Sequence, residues 1–214
     1  MPSTNIKTLA VVATLGGALA LALFVGIGGR AKADTEEPSY RVESKDGDIE
    51  VRAYEPMLMA VTDVEGSYDD AISAGFRRIA GFIFGDNVSQ DKVAMTAPVS
   101  AEPKSQKIDM TAPVTATSGE AGIWRISFMM PSEYTRESLP VPTDSQVEIV
   151  ELPGRRLAVL SFSGSIMGEV PTEEIERLEG WMRAQGLTPA GPAVIAQFEP
   201  PWKLWFMRRN EVQI

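Results

Sequence analysis

Residues 49–67, IEVRAYEPMLMAVTDVEGS, align without gaps with residues 147–165, VEIVELPGRRLAVLSFSGS, at a constant offset of 98 positions. Glu50 aligns with Glu148, and both stretches contain an Ala-Val pair and end in Gly-Ser. Each stretch alternates apolar and polar residues on both sides of a short turn, which is typical of two antiparallel strands. The repeat therefore predicts a duplicated chain with approximate twofold symmetry.

An amphipathic helix is predicted directly after the first repeat unit. Ser67 and Asp70 have the spacing of a capping box at a helix start, and Gly85 ends the apolar periodicity. Arg77 and Arg78 fall off the apolar stripe of this helix, which lies on one face. That stripe consists of Tyr68, Ile72, Phe76, Ile79 and Ile83.

A second helix is predicted after the second repeat unit, with Thr172 as its N-cap after Pro171 and Gly186 as its stop. The residues expected to face the core are Ile175, Leu178 and Met182. Two amphipathic helices over a curved, mostly antiparallel sheet define the α+β class. We therefore predict a pseudo-twofold, duplicated and distorted antiparallel β-barrel with one helix packed on each half.

Two more strands are expected after each helix. In the first half they form a hairpin of two near-identical segments, 93–99 and 108–114, joined by a polar connection. Their internal prolines confine them to sheet edges or bulges. In the second half the strands are 193–198 and 202–209, while residues 123–130 add a strand that leads into the second repeat unit.

Composition excludes several classes of chemistry. The chain has 214 residues, no cysteine and no histidine, so it has no disulfide, thiolate nucleophile, Fe–S cluster, histidine-ligated metal or Ser-His-Asp triad. It contains no Walker loop, Rossmann glycine pattern or Gly-x-Ser-x-Gly elbow, and we assign no catalytic or metal-binding residues. The net charge of −9 and the pI near 4.7 disfavour nucleic acid as a partner.

The amino terminus differs from the rest of the chain. An uncharged, largely apolar stretch covers residues 8–29. Ala31-Lys32-Ala33 fits a signal-peptidase site, but the apolar stretch is also long enough to span a bilayer without cleavage. Residues 1–33 are therefore predicted to be either a signal peptide or an N-terminal transmembrane anchor.

Both alternatives place the rest of the protein outside the cytoplasm. Residues 34–47 are polar and acidic and are predicted to be a linker, and residues 48–214 are predicted to be the folded domain. We expect an exported, periplasmic or other extracytoplasmic location. If residues 8–29 are retained, they anchor the chain to the inner membrane, so the membrane becomes a partner.

Six short motifs occur in order between Tyr40 and Val212. They are 49–56 (IEVRAYEP), 82–87 (FIFGDN), 93–99 (VAMTAPV), 128–134 (FMMPSEY), 159–164 (VLSFSG) and an ending that combines PPW at 200–202 with RRNEV at 208–212. In these motifs the chain resembles the SOUL/haem-binding protein family. The resemblance implies a pseudo-twofold α/β barrel with a helix against each half, and it implies binding of haem or another tetrapyrrole.

The resemblance also implies, for some members, a histidine ligand to the haem iron, and this chain has none. Tyr and Met remain as axial ligands in principle, although Met at alternating or helical positions is typical of core filling. We expect non-covalent binding in a hydrophobic groove, with apolar side chains against the porphyrin and arginines at its propionates. The candidate binding residues are Phe76, Arg77, Arg78, Ile79 and Phe82.

Other interpretations stay open at this point. Arg77 and Arg78 are also explained as solvated surface residues, since most charged side chains face water. Trp202 and Trp205 either stack on a ligand or pack in the core or barrel rim, and Arg208 or Arg209 is expected to pair with an acidic neighbour. The alternative function is an envelope interaction or structural protein that keeps the fold without a tetrapyrrole, and a weaker one is an enzyme that acts on a tetrapyrrole.

Overall fold

Both repeat units fold into two strands joined by a tight turn, as their alternating residues predict. The structure is a computed structural model that describes residues 35–90, 105–119, 122–166, 168–199 and 202–214. Its strands are β1 (Tyr40–Asp46), β2 (Ile49–Tyr54), β3 (Met57–Glu65), β4 (Asn87–Val88), β5 (Val114–Ser118), β6 (Ile123–Met129), β7 (Val141–Pro142), β8 (Glu148–Leu152), β9 (Arg155–Ser163), β10 (Val194–Gln197) and β11 (Arg209–Gln213). Its helices are α1 (Tyr68–Phe84) and α2 (Thr172–Ala184), and a 3-10 turn covers Trp205–Met207.

Nine strands form one antiparallel sheet in the order β1-β2-β9-β11-β10-β5-β6-β3-β8, and β4 pairs with β7. The repeat units exchange strands, because β2 pairs with β9 and β3 pairs with β8. Tyr54 lies opposite Arg155, and Met57 lies opposite Leu152. In the repeat, Leu152 is the equivalent of Tyr54 and Arg155 is the equivalent of Met57, so the two strand pairs have the same register. The α+β fold is confirmed as a curled antiparallel half-barrel with two helices.

The strands that follow α1 differ from those expected. Segment 93–99 lies outside the described residues, and segment 108–114 is not a strand, since only Thr111 forms a bridge, with Glu36, before β5 begins at Val114. The strands that match β10 and β11 of the second half are therefore β5 and β6. In the second half, residues 202–208 form a turn and a 3-10 helix, and β11 begins only at Arg209.

The predicted linker at 34–47 contains strand β1. This strand pairs with β2 along the edge of the sheet, and all seven of its residues are exposed, which explains its polar sequence. The signal peptide or anchor predicted at 1–33 lies outside the described residues. Within the residues that the structure describes, no helix is long and apolar enough to cross a bilayer.

The predicted helix boundaries agree closely with the structure. The Ser67 side chain accepts a hydrogen bond from the Asp70 N–H, which caps α1, and Gly85 ends the helix with a φ of 132° that favours glycine. In α2 the N-cap is Pro171 and not Thr172, which is the first helical residue. The last helical residue is Ala184, and Gly186 follows with a positive φ.

Both helices pack on the same face of the sheet. Directly opposed residues share a face, and one such row crosses six strands in the order Ile49, Leu160, Val212, Ile195, Ala116 and Ile126. The first three residues of this row belong to the core under α2, and the last three belong to the core under α1. Burying each large side chain there contributes about 1.5–3 kcal/mol to folding.

The opposite face of the sheet carries a buried polar network. Arg52 of β2 and Glu211 of β11 are 5% and 2% exposed, and the Arg52 guanidinium donates to the Glu211 carboxylate at 3.0 and 3.1 Å. Arg52 also donates to Glu50 and to the Tyr54 hydroxyl, and the Gln213 amide donates to Glu211. The pair joins the first strand of the first repeat unit to the last strand of the domain.

The contact between α1 and β6 is close enough to require glycine. A Cβ added at Gly75 would lie 2.5 Å from Cγ1 of Ile126, a core residue, whereas a Cβ added at Gly180 of α2 meets nothing nearer than an Arg183 nitrogen at 3.9 Å. We expect Gly75→Ala to lower the free energy of unfolding by about 1–3 kcal/mol through overpacking. Gly180→Ala should raise it by about 0.5–1 kcal/mol, because alanine favours helix more than glycine does.

Urea unfolding of the two variants and the parent protein measures both effects. Equal stabilisation by the two alanines would contradict the packing of α1 on β6.

Candidate ligand-binding site

Two of the predicted binding residues, Ile79 and Phe82, belong to the core. Ile79 is 0% exposed and Phe82 is 1% exposed, and both pack in the cluster between α1 and the sheet. Neither side chain is accessible to a ligand at the surface. The sequence periodicity places Ile79 on the apolar stripe, and Phe82 lies beside that stripe, so burial is the direct consequence of the pattern.

The two arginines of α1 point in different directions. Successive helical residues are rotated by about 100°, so Arg78 lies about 200° from Phe76. The Arg78 guanidinium donates to the Thr62 hydroxyl at 2.9 Å and to the Asp63 carbonyl at 3.3 Å, both in β3. Arg77 is exposed and is within ion-pair distance of no carboxylate in the described part of the chain.

Phe76 and Arg77 belong to a solvent-facing sector of α1 that also includes Ala80 and Phe84. Phe76 is 38% exposed and tilts against Phe128 of β6 with ring centroids 5.5 Å apart, and Phe84 is 56% exposed. The four residues fall within about 100° of helix rotation, so they line one side of the helix. Phe84 is not among the predicted binding residues. Its exposure depends on how α1 is rotated relative to the sheet, and the sequence pattern does not give this rotation.

Lys107 joins this sector from a distant part of the sequence. Its ammonium nitrogen lies 5.9 Å from the centre of the Phe84 ring, within cation–π range. The chain around Gln106 and Lys107 is held against the end of α1 by Asn87. The Asn87 side chain donates to the carbonyls of Phe82 and Gln106 and accepts a hydrogen bond from the Gln106 N–H. We call Phe76, Arg77, Ala80, Phe84 and Lys107 the α1 outer face. It combines two exposed aromatic rings with two cations.

Two concave regions elsewhere on the domain differ in chemistry from the α1 outer face. A cleft of about 420 Å³ lies beside the turn between β2 and β3, and its single arginine is Arg136. Its acidic lining residues are Glu36, Glu37, Glu55, Glu137 and Glu151. A second region of about 430 Å³ beside β7 is mostly apolar, and the charged residues among its described lining are Arg136 and Glu148. Five carboxylates make the first cleft unfavourable for an anionic ligand.

On the face of the sheet opposite the helices, the described residues around Tyr54 and Arg155 enclose little free space. The void near Tyr54, Met57 and Arg155 has a volume of about 20 Å³, which is room for a single water molecule. Arg155 Nε is buried there with no hydrogen-bond partner among the residues that the structure describes, and burial lowers the pKa of this arginine. A macrocycle does not fit into this region.

The shifted pKa values accompany packing contacts. Burial raises the pKa of Tyr54 and of Tyr68 to about 12, while hydrogen bonds from Arg125 and Arg177 lower the pKa of Asp63 and of Asp48 respectively. These groups lie in the core or in surface ion pairs and do not converge on one pocket. Over the described ranges, no group of three or more carboxylates is arranged to hold a metal ion.

The two carboxy-terminal tryptophans lie at the surface of the domain. Trp202 is 84% exposed and Trp205 is 61% exposed, so packing in the core or barrel rim is wrong for both. Arg209 pairs with Glu37 and stacks on Phe198 at 3.7 Å, which confirms the expected acidic partner. Arg208 donates from Nε to the Lys203 carbonyl.

The half-barrel with two helices on one face defines a small α+β domain with an apolar, cation-flanked helix surface. A sequence model of the SOUL heme-binding protein family matches residues 35–214, and the chain belongs to this family. The family assignment made from the six motifs is thereby confirmed.

Two curated relatives carry the name Heme-binding protein 2. The mouse protein is 28% identical over 194 residues, which cover 84% of this chain and 89% of the relative. The human protein is 30% identical over 176 residues, which cover 77% and 80% of the two chains. Among solved structures, the EcmrR C-terminal domain is similar in fold, with a TM-score of 0.52 at 8% identity over 82% of this chain and 96% of that one.

The different contacts of the two arginines predict different effects on stability. Arg78→Ala should lower the free energy of unfolding by about 1 kcal/mol, because the buried Thr62 hydroxyl loses its hydrogen-bond donor. Arg77→Ala should change it by less than about 0.5 kcal/mol, since the side chain is exposed. Chemical denaturation of the two variants measures the difference, and equal losses would show that Arg77 is also a structural residue.

Proposed function

We propose that this protein binds haem or a related tetrapyrrole non-covalently on the α1 outer face, without coordination of the iron by histidine or cysteine. Membership of the SOUL heme-binding protein family and the two relatives named Heme-binding protein 2 support the ligand class. The observation that carries the location is the juxtaposition of the exposed rings of Phe76 and Phe84 with Arg77 and Lys107.

The α1 outer face has a suitable length and chemistry for a porphyrin. Phe76 and Phe84 are eight residues apart, which corresponds to about 12 Å along the helix and is comparable with the width of the macrocycle. Their rings provide apolar contact, and Arg77 and Lys107 are available for the two carboxylates of a propionate-bearing tetrapyrrole. Arg78, Ile79 and Phe82 support the helix from its sheet side.

Charge favours this surface over the cleft beside the turn between β2 and β3. The five glutamates of that cleft repel a dianionic ligand, whereas the α1 outer face has two cations, and Asp69 in the same helical sector lies about two turns before Phe76 at the start of the helix. Since the sequence has no histidine or cysteine, apolar contact and charge pairing supply the binding free energy. The affinity should then depend on the macrocycle and its carboxylates more than on the iron.

The cellular role that we propose is carriage or buffering of the tetrapyrrole outside the cytoplasm. The apolar stretch at 8–29 and the Ala-Lys-Ala sequence at 31–33 support export, with or without a retained membrane anchor. The alternative is an envelope interaction protein that has kept the fold without the ligand. The absence of histidine favours this alternative, and ligand titration separates the two.

Titration of the full chain with haemin and with metal-free protoporphyrin IX tests the proposal. We expect saturable changes in the Soret region for both, with dissociation constants that differ by only a few-fold. Arg77→Ala and Phe84→Ser should each weaken binding by about tenfold, which corresponds to the loss of about 1.4 kcal/mol from one charge-assisted or aromatic contact.

Matched controls are available elsewhere on the surface. Arg156→Ala removes an exposed arginine of β9, and Val141→Ser removes a half-exposed apolar residue of β7; both should leave the affinity unchanged. Spectra of free or aggregated haem at every concentration would reject tetrapyrrole binding. Binding of haemin but not of protoporphyrin IX would show that the iron is coordinated, which contradicts the proposed mode of binding.

A further inference from the structure

The segment between β10 and β11 exposes an unusual run of large apolar side chains. We call residues 202–207 the 202–207 loop. Its exposed apolar members are Trp202, Leu204, Trp205, Phe206 and Met207, each with more than half of its surface accessible. Isolated exposed apolar residues are common on proteins, but a contiguous patch of this kind marks an interaction site.

The loop is an ordered turn that holds these side chains outward. The Met207 N–H donates to the Leu204 carbonyl at 2.9 Å, and the Arg208 N–H donates to the Trp205 carbonyl at 3.2 Å, which forms the 3-10 turn. The rings of Trp205 and Phe206 pack edge to face with centroids 5.6 Å apart. Lys203 pairs with Glu199 at the base of the loop. The backbone hydrogen bonds thus fix an apolar projection in place.

The composition of the loop matches the lipid–water interface. Tryptophan is enriched where proteins meet the headgroup region, because its ring is apolar and its N–H is polar. The neighbouring cations Lys203, Arg208 and Arg209 bind Glu199, the Lys203 carbonyl and Glu37 within the domain, so the apolar side chains of the loop are the ones available to lipid. Residues 34–214 carry a net charge of −12 once Lys7, Arg30 and Lys32 are set aside. Insertion is therefore favoured by apolar burial and opposed by strongly anionic lipid.

The position of the loop in the chain favours a bilayer over other occupants. Arg209, at the end of the loop, pairs with Glu37, close to the point where the amino-terminal segment enters the domain. Seven residues lie between Gly29, the end of the apolar stretch, and Glu37, so the chain from one to the other spans at most about 28 Å. A retained anchor at residues 8–29 would therefore keep Glu37, the partner of Arg209, within that distance of the bilayer.

We propose that the 202–207 loop inserts its apolar side chains into the interfacial region of a largely zwitterionic lipid bilayer. The loop forms a membrane contact separate from residues 8–29 and from the α1 outer face. It holds one end of the domain against the membrane.

The absence of cysteine makes the proposal directly measurable. Trp202→Cys in the full chain provides a unique labelling site for an environment-sensitive fluorophore, and Val141→Cys on β7 is the matched control, since both positions are exposed. The two proteins are reconstituted into phosphatidylcholine vesicles. The label at 202 should shift to the blue, gain intensity severalfold, resist an aqueous quencher and be quenched by brominated acyl chains. The label at 141 should remain accessible to water.

Two further measurements identify the occupant. Replacing both Trp205 and Phe206 by serine in the Trp202→Cys protein should restore access of the aqueous quencher, because the remaining loop is less apolar. Dilution of the protein with excess lipid should leave the shielding intact. Shielding that disappears on dilution would identify a second copy of the chain as the occupant, and a water-accessible label at 202 in vesicles would show no insertion; either result overturns the proposal.

Discussion

The ion pair between Arg52 and Glu211 is the contact on which the arrangement of the two halves depends. It crosses β9 to join β2 to β11, and both charges are almost completely withdrawn from water. Such a pair is tolerated only when its remaining hydrogen-bonding groups are satisfied, and Glu50, Tyr54 and Gln213 satisfy them here. Loss of one partner leaves a buried charge at a cost of about 3–5 kcal/mol. The register of the duplicated strands is therefore tied to this network.

The same network determines where a large ligand has access. It fills the face of the sheet opposite the helices and leaves a void of only about 20 Å³. The acidic cleft beside the turn between β2 and β3 repels carboxylates, and this supports our proposal that an anionic macrocycle binds on the outward side of α1. Tight packing of α1 through Gly75, Ile79 and Phe82 makes that surface a rigid one. The buried side of α1 stabilises the domain, and its exposed side is where we propose that the ligand binds.

The 98-residue repeat was sufficient to predict the twofold fold, because strand alternation and helix periodicity are local properties of the sequence. The strand predicted at 108–114 is wrong, since β5 begins only at Val114, while its predicted partner at 93–99 lies outside the described residues. The antiparallel pair observed in this half is β5 with β6. The positions of Arg77 and Arg78 in the helix show which of them faces solvent only when the buried side of the helix is known. Ile79 and Phe82 mark that buried side. Lys107 was not predictable, because it reaches Phe84 through the long-range clamp of Asn87.

Mapping the bound macrocycle tests the location of the site most directly. Metal-free protoporphyrin IX is diamagnetic, so its addition to the isotopically labelled full chain can be followed by amide chemical shifts. The account predicts that the largest changes lie at Phe76, Arg77, Ala80, Phe84 and Lys107, while the amides of the acidic cleft stay in place. Changes centred on Glu55 and Met130, or on Arg52 and Glu211, would contradict it.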